Sequence, residues 1–401
     1  MKKAFLLGLS ITLVLTFGSG AFGAEKLELG ALYPISGGLA LLGEESWRGA
    51  EIARLVRNEA GGVAGKEIVF IKGDASTPSA ARSEAERLVE QKKVPAILGT
   101  YSSSRCMAAS EVTARKGIPY FELGAIANAI TTRGYKTMWR TNPTAADFSK
   151  AQVGFITDWY APELGKKPAD MRVSIAHEDS DYGTSVADSF SSLAKAAGVQ
   201  IVSIEPYAAN TNDLSSVIFR LRKAEPDIVV AVSYANDAIL LARQAYELKL
   251  KAPIMGTGGG HSLQSFADAL GKEADGVLNV DFTQYEVNEK FTPGLKEFLA
   301  LYKKTFNESP RSGHSLANFM GANVVFDILE KTGGSLDPDK IREAALAMDI
   351  APGNTPTGWG VKFEENGQNV AAAPLVTQWR DGKLVTVWPE DASVMAPMIR
   401  K

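Results

Sequence analysis

Cysteine and histidine are almost absent from the chain. Among 401 residues Cys106 carries the one thiol, so no disulfide can form within the chain and packing must hold the fold together. The three histidines, His177, His261 and His314, include no pair at i, i+4 and no H-E-x-x-H motif, which argues against a zinc site. We therefore expect neither a metal nor a cofactor.

Long hydrophobic runs and a charge excess are also missing. After residue 24 no stretch approaches the roughly 18 uncharged residues that cross a bilayer. The 43 basic and 46 acidic residues leave a formal charge of −3 and are mixed along the chain. This balance argues against nucleic acid or an anionic membrane as the partner.

The N-terminus has the order of a secretory signal peptide. Two lysines precede an apolar run over residues 4–17, and small residues follow. We expect residues 1–24 to form this peptide, with cleavage after Gly23 or Ala24. Because no cysteine lies there to carry a lipid, the mature protein is expected to diffuse freely in the periplasm.

Short apolar runs alternate with longer helical patterns along most of the chain. The strand-like "KEIVFIKGD" is followed by the helical "TPSAARSEAERLVEQK", where Thr77 is the expected N-cap and Pro78 the first helical residue. Repeated strand and helix patterns predict an α/β fold with parallel sheets covered by helices. Near the C-terminus, antiparallel strands are expected to turn at 365–367 and at 381–382.

Two interruptions of this alternation predict two domains. They are "MWRTNPTAADF" and "NVDFTQYEVNEKFTP", and the length suits two domains of about 100 to 200 residues each. The sequence thus predicts two doubly wound parallel-sheet lobes between which the chain crosses more than once. Ligands of such sheets bind beyond the carboxyl ends of the strands, so we expect functional residues in the segments that leave strands.

The glycine-rich stretch "MGTGGGHSLQSF", Met255 to Phe266, follows one of these strands. The nucleotide pattern G-x-G-x-x-G fails at His261, and no Gly-Lys-Ser/Thr follows. "GHSLQ" approaches the G-x-S-x-G nucleophile elbow, but Gln264 replaces its last glycine. A secreted serine hydrolase is therefore only an alternative, and we expect the stretch to form one wall of a ligand cleft. In that wall His261 would either donate to a carboxylate or carbonyl of the ligand or be a loop residue.

Six segments carry a family resemblance. They are "YPISGGLALLGEESWRGAEIA", "AILGTYSSSRCMAAS", "IPYFELGA", "RGYKTMWRTNPT", "HEDSDYGTSVA" and "FNESPRSGHSLANFMGANVVFDILEKTG". In this order they resemble the periplasmic solute-binding proteins of the branched-chain amino acid and amide class, which feed ABC importers and have the type I periplasmic binding fold. The resemblance covers essentially everything after the N-terminal segment.

This resemblance implies two lobes that are joined by three crossover strands and close on a solute by a hinge motion. The crossings are expected near 140–144, 280–284 and 357–360. The N-terminal lobe would comprise residues 25–141 and 282–357, and the C-terminal lobe residues 142–281 and 358–401. The protein would be a monomer without catalytic activity that delivers its solute to permease subunits in the inner membrane. A sensor that presents its solute to a receptor fits the same sequence.

The resemblance also implies a set of solute contacts. They are Leu42, Ser102, Ser103, Ser104, Glu122, Gly124, Ala125, Tyr182, Tyr234, Gly258 and His261. Ser103 matches the serine that meets the solute carboxylate, and either neighbouring serine is an alternative or a mere N-cap. A helix that starts there would add free N–H groups and a positive dipole. Leu42 stands where some relatives carry tryptophan.

Other contacts match binding loops and aromatic walls. Gly124 and Ala125 match a loop that offers backbone groups to the same carboxylate, and Ile126 replaces a frequent threonine there. Tyr182 and Tyr234 match aromatic residues at the strand ends of the second lobe, where each would offer an apolar face and a polar tip.

A departure from the family concerns the solute ammonium group. Gly258 stands where amino-acid binders usually have an acidic residue that pairs with this ammonium. A buried ammonium without a counter-charge is costly, so either another carboxylate substitutes or the solute has no ammonium. Glu122 is the first candidate substitute, followed by Asp179 and Asp281. Glu122 could equally be satisfied by backbone N–H groups or by Arg105. The solute class stays open among amino acids, amides and related carboxylates.

Overall fold

The computed structural model describes residues 25–400, so the expected signal peptide lies outside the described residues. Its strands are β1 (Lys26–Tyr33), β2 (Glu67–Asp74), β3 (Ile97–Gly99), β4 (Tyr120–Glu122), β5 (Met138–Arg140), β6 (Arg172–Glu178), β7 (Gln200–Tyr207), β8 (Ile228–Val232), β9 (Ile254–Thr257), β10 (Leu278–Asp281), β11 (Asp349–Ile350), β12 (Val361–Lys362), β13 (Leu375–Arg380) and β14 (Lys383–Trp388). Its α-helices are α1 (Ala40–Glu59), α2 (Pro78–Glu86), α3 (Ser103–Arg115), α4 (Ala129–Thr132), α5 (Ala145–Phe155), α6 (Ala161–Glu163), α7 (Asp181–Ala196), α8 (Ser215–Ala224), α9 (Ala235–Glu247), α10 (Gln264–Leu270), α11 (Leu295–Phe306), α12 (His314–Lys331) and α13 (Pro338–Leu346).

Two sheets of the same design form the centres of two lobes. The first is parallel throughout, with the order β2-β1-β3-β4-β5. The second repeats this order as β7-β6-β8-β9-β10, and antiparallel β13 and β14 extend its far edge. The predicted fold of two doubly wound parallel-sheet lobes is thereby confirmed. In this strand order ligands bind at the carboxyl ends, where the winding reverses.

Local sequence accounts for the elements that were predicted. All five residues of β8 are buried, as the apolar run of a parallel strand covered on both faces requires. Thr77 caps α2 by accepting the Ala80 N–H at 3.1 Å, and Pro78 is the first helical residue. β13 and β14 turn at Asp381 and Gly382, both of which have positive φ. Within the described chain no helix combines the length and the apolar character of a membrane span.

The first of the two expected antiparallel hairpins is reduced to one bridge. The turn at Gly367 exists, with φ at +80°, but its arms pair only through Phe363 and Asn369. The segment after the turn also pairs with the first sheet through other backbone groups. The Gly367 carbonyl accepts the Arg140 N–H at 2.8 Å, and Gln368 bridges Arg140 in parallel. The segment after the turn therefore joins the edge of the first sheet.

The chain passes between the lobes three times, and the third passage lies later than expected. The first two passages follow β5 and β10. Before the third, Phe363 packs edge-on against Trp139 at 5.5 Å between ring centroids, and the Gln368 Oε1 accepts the Arg140 Nε at 2.6 Å. The chain reaches the second sheet only at Leu375, not near 357–360, because the first lobe holds the intervening segment.

Close packing of α1 on α12 is possible because Gly49 has no side chain. A Cβ atom at Gly49 would lie 1.9 Å from the Ser315 carbonyl oxygen. We expect Gly49→Ala to lower the free energy of unfolding by about 1 to 3 kcal/mol, the cost of overpacking, as measured by urea denaturation. Gly154 of α5 is the matched control, because a Cβ there meets its nearest neighbour at an ordinary 3.5 Å. Gly154→Ala should be neutral or stabilising by up to about 1 kcal/mol.

Candidate functional site

A narrow cavity lies between the two lobes, at the carboxyl ends of their strands. The volume that water can enter there is about 30 Å³, room for about two ordered water molecules. Its lining residues are Leu42, Tyr101, Ser103, Gly124, Ile126, Phe148, Tyr182, Ser233, Tyr234, Gly258, Gly259, Gly260, Asp281, Phe282 and His314. Within residues 25–400, no three His, Cys, Asp or Glu side chains come together as a metal site.

The structure brings together part of the set that the sequence suggested. The expected contacts that line the cavity are Leu42, Ser103, Gly124, Tyr182, Tyr234 and Gly258. Those that do not line it are Ser102, Ser104, Glu122, Ala125 and His261. Ile126, which replaces a frequent threonine of the family, and Asp281, a weaker candidate for the substitute carboxylate, also line it. The glycine-rich stretch and the loops after β3 and β4 therefore share one cavity.

Of the three neighbouring serines, Ser103 alone is a lining residue. Ser102 is the N-cap of α3, and its hydroxyl lies 3.3 Å from the Tyr234 hydroxyl. Ser104 Oγ accepts a backbone N–H of the other lobe at 3.4 Å. Ser103 Oγ accepts the Ala127 N–H at 3.1 Å, which leaves its own proton free to donate. This hydroxyl thus lies at the N-terminus of a 13-residue helix, where an anion is favoured.

Glu122 does not reach the cavity, because other groups occupy its carboxylate. Its two oxygens accept the N–H groups of Thr100, Tyr101 and residues 123–125 and the hydroxyl of Thr100, at 2.8 to 3.1 Å. The side chain is fully buried; burial raises the pKa of Glu122, and these backbone hydrogen bonds oppose the rise. The geometry matches the alternative in which backbone N–H groups satisfy Glu122, so Glu122 is not placed to meet a solute ammonium.

The hydrogen bonds to Glu122 also occupy the backbone N–H groups of Gly124 and Ala125. Their N–H groups donate to Glu122 at 2.9 and 2.8 Å, so these two donors are not free for a solute carboxylate, contrary to the expectation from sequence. The lack of a side chain at Gly124 instead lets this loop pack closely against Tyr101, because a Cβ there would lie 2.9 Å from the Tyr101 Cβ.

Tyrosine rings form one wall and explain the glycine at position 258. The Tyr182 and Tyr234 ring centroids lie 5.2 Å apart, and the Tyr182 hydroxyl donates to the Thr257 carbonyl at 2.6 Å. Gly258 has φ at +69°, and a Cβ atom there would lie 2.7 Å from the Tyr182 hydroxyl oxygen. A carboxylate side chain therefore does not fit at position 258 beside this tyrosine.

His261 lies behind the cavity wall. Its ring is fully buried with no hydrogen-bond partner at either nitrogen, and it packs near Phe266, with 5.4 Å between ring centroids. Burial lowers the pKa of His261 to about 3, so the ring is neutral at pH 7. Of the two roles that the sequence left open for His261, the geometry fits the loop residue.

Asp281, which the sequence named only as a weaker substitute carboxylate, and His314, which it did not name as a contact, both line the cavity. Asp281 ends β10, and burial raises its pKa to about 7. His314 is the first residue of α12, 5.0 Å from Phe282 between ring centroids, and burial lowers its pKa to about 3. Asp281 lies at the second interruption, where a strand leads directly into a passage between lobes.

Direct contacts between the lobes show that the cleft is closed. Asn128 of the first lobe donates from its side chain to Ser189 Oγ at 2.8 Å and from its backbone to Ser185 Oγ at 3.0 Å. A Cβ at Gly259 would lie 2.9 Å from a methyl group of Leu42 across the cleft. The two lobes therefore meet across the cleft through both polar and apolar contacts.

Comparisons with known proteins agree with this fold. A family model described as "Periplasmic binding protein" matches residues 26–383. The Leu/Ile/Val-binding protein homolog 8 of Brucella suis biovar 1 is 46% identical over 398 residues, which cover 99% of this chain and 98% of that protein. The substrate-binding protein LivJ of Streptococcus pneumoniae in complex with isoleucine superposes with a TM-score of 0.76 at 23% identity, covering 93% of this chain and 100% of LivJ. A solute-binding protein of an ABC transporter from R. palustris in complex with benzoate gives 0.78 at 20% identity, covering 92% of this chain and 98% of its own.

Substitution of Glu122 tests its part in holding the two loops together. In Glu122→Gln an amide N–H₂ faces N–H and hydroxyl donors, so we expect the free energy of unfolding to fall by about 1 to 3 kcal/mol. Calorimetry should show equal losses of affinity for a bound solute with an ammonium group and for its deaminated analogue. A loss confined to the ammonium compound would contradict this structural role. The exposed Glu90 supplies the control Glu90→Gln.

Proposed function

We propose, since the chain belongs to the periplasmic binding protein family, that it captures a small carboxylate-bearing solute between its lobes and delivers it to an ABC permease in the inner membrane. The protein is a periplasmic substrate-binding protein. The observation that carries the proposal is the cavity between the lobes, whose lining joins Ser103 at the start of α3 to the tyrosine wall of the second lobe.

The carboxylate of the solute is assigned to Ser103. The N–H groups of the first turn of a helix have no partners within the helix, and the helix dipole favours negative charge there. The Ser103 hydroxyl, held by the Ala127 N–H, adds a donor with a fixed position. Tyr182 and Tyr234 then cover the apolar part of the solute, as large aromatic faces do in small-molecule sites.

The protein is proposed to act without catalysis, as a monomer, and after export through the N-terminal segment. The geometry around the glycine-rich stretch supports the first point. Ser262 Oγ donates to the Gly259 carbonyl at 3.3 Å, and neither nitrogen of the neighbouring His261 ring has a hydrogen-bond partner. A serine hydrolase needs a histidine bonded to its nucleophile, and these two side chains do not form that pair.

The proposed function is tested by titrating the purified, ligand-stripped protein. The probes are the twenty standard L-amino acids, their amides and a set of aliphatic and aromatic carboxylates including benzoate. A solute at 100 times its dissociation constant should stabilise the folded protein by about 2.7 kcal/mol, and calorimetry should give one site per chain. Absence of binding across the whole panel would contradict the proposal.

Ser103→Ala tests the carboxylate assignment. Loss of the hydroxyl leaves the solute carboxylate short of a donor in a buried site, so binding should weaken by about 1 to 3 kcal/mol in calorimetry. Ser104→Ala is the matched control on the same helical turn, because its hydroxyl lies outside the cavity lining. It should change the binding free energy by less than about 0.5 kcal/mol. An equal effect of both substitutions would remove the assignment.

A further inference from the structure

Among the fully buried carboxylates near the cleft, Glu122 and Asp281 differ in how many donors they receive. Glu122 accepts six hydrogen bonds, five of them from backbone N–H groups. Asp281 receives fewer: the Phe282 N–H at 2.7 Å on Oδ1, the Gln284 side chain at 3.3 Å on Oδ2 and the nearby Ser262 hydroxyl. A carboxylate has about four lone-pair positions, so Asp281 retains acceptor capacity that Glu122 does not.

The free acceptor positions of Asp281 are available to a solute, because Asp281 lines the cavity. Asp281 is the acidic member of the cavity lining, and that lining contains neither lysine nor arginine. His314, the histidine in the lining, is neutral at pH 7. An ionised carboxylate in such a place is costly unless a cation or strong donor joins it. Within the lining no side chain of this chain supplies that cation.

From these contacts we propose that Asp281 selects solutes that carry a positively charged group in addition to a carboxylate. The ammonium group of an amino acid would complete the hydrogen bonds of Asp281 while its carboxylate meets Ser103 at the start of α3. This inference rests on the proposed function and narrows its substrate class. A carboxylate without an ammonium would bind beside Asp281 without forming this pair.

A structural role is the competing explanation. Gln284, which donates to Asp281, also accepts the Gly313 N–H at 3.0 Å, immediately before α12. Asp281 could thus serve to fix the chain segment that passes between the lobes after β10. A structural role would weaken all solutes alike, whereas selection by charge separates ammonium-bearing solutes from their deaminated analogues, so the two explanations predict different results.

The first experiment uses the unaltered protein. Calorimetry with the twenty standard L-amino acids identifies those that bind, and each is compared with the carboxylic acid that lacks its ammonium group and with benzoate. Loss of one partner of a buried charge pair predicts a deaminated analogue about 100-fold weaker. Binding of benzoate without binding of any amino acid would overturn the role of Asp281 and leave the proposed function standing. Binding of no probe at all would overturn both.

The second experiment uses Asp281→Asn, which keeps the shape of the side chain and removes its charge. Affinity for the amino acid should fall about 100-fold, while affinity for the deaminated analogue stays equal or rises. The control is Asp179→Asn, an exposed carboxylate outside the cavity lining, which should change neither affinity. Equal losses for both solutes would overturn the proposal. If Asp281→Asn does not fold, as judged by circular dichroism, the comparison of solutes on the unaltered protein decides.

Discussion

The carboxylate of Glu122 is the interaction on which the architecture of the site depends. It gathers five backbone N–H groups from the loops after β3 and β4, which fixes these loops relative to each other. Ser103 follows one loop, and its hydroxyl accepts the Ala127 N–H of the other. A buried charge of this kind is tolerated because hydrogen bonds replace its hydration, and it leaves the first-lobe wall of the cavity preorganised.

The sequence predicted the fold well because hydrophobic periodicity and cap residues are local signals. Thr77 and Pro78 mark the start of α2, and the buried run of β8 marks a central parallel strand. The turn at Gly367 was also predicted. The pairing of the segment after this turn with Arg140 of a distant strand was not predicted. Such pairing is a tertiary property that no local pattern encodes.

The site was predictable only to the level of loops. Sequence could place Ser103, Tyr182 and Gly258 at strand ends, and all three line the cavity. Sequence could not tell whether Glu122 or Asp281 lines the cavity. Glu122 and Asp281 both follow apolar strands, and the difference lies in how many backbone N–H groups the next residues aim at each. That count depends on the path of the chain after the strand.

The central claim is that a solute binds between the lobes, and hydrogen exchange followed by mass spectrometry tests it most directly. The protein stripped of ligand is compared with the protein saturated with the tightest-binding solute of the panel. The account predicts slower exchange in 99–103, 122–127, 258–262 and 281–284, the segments at the cavity and along its walls, because the solute stabilises the closed state. Protection confined to the surface groove at 285–299, with those segments unchanged, would contradict it.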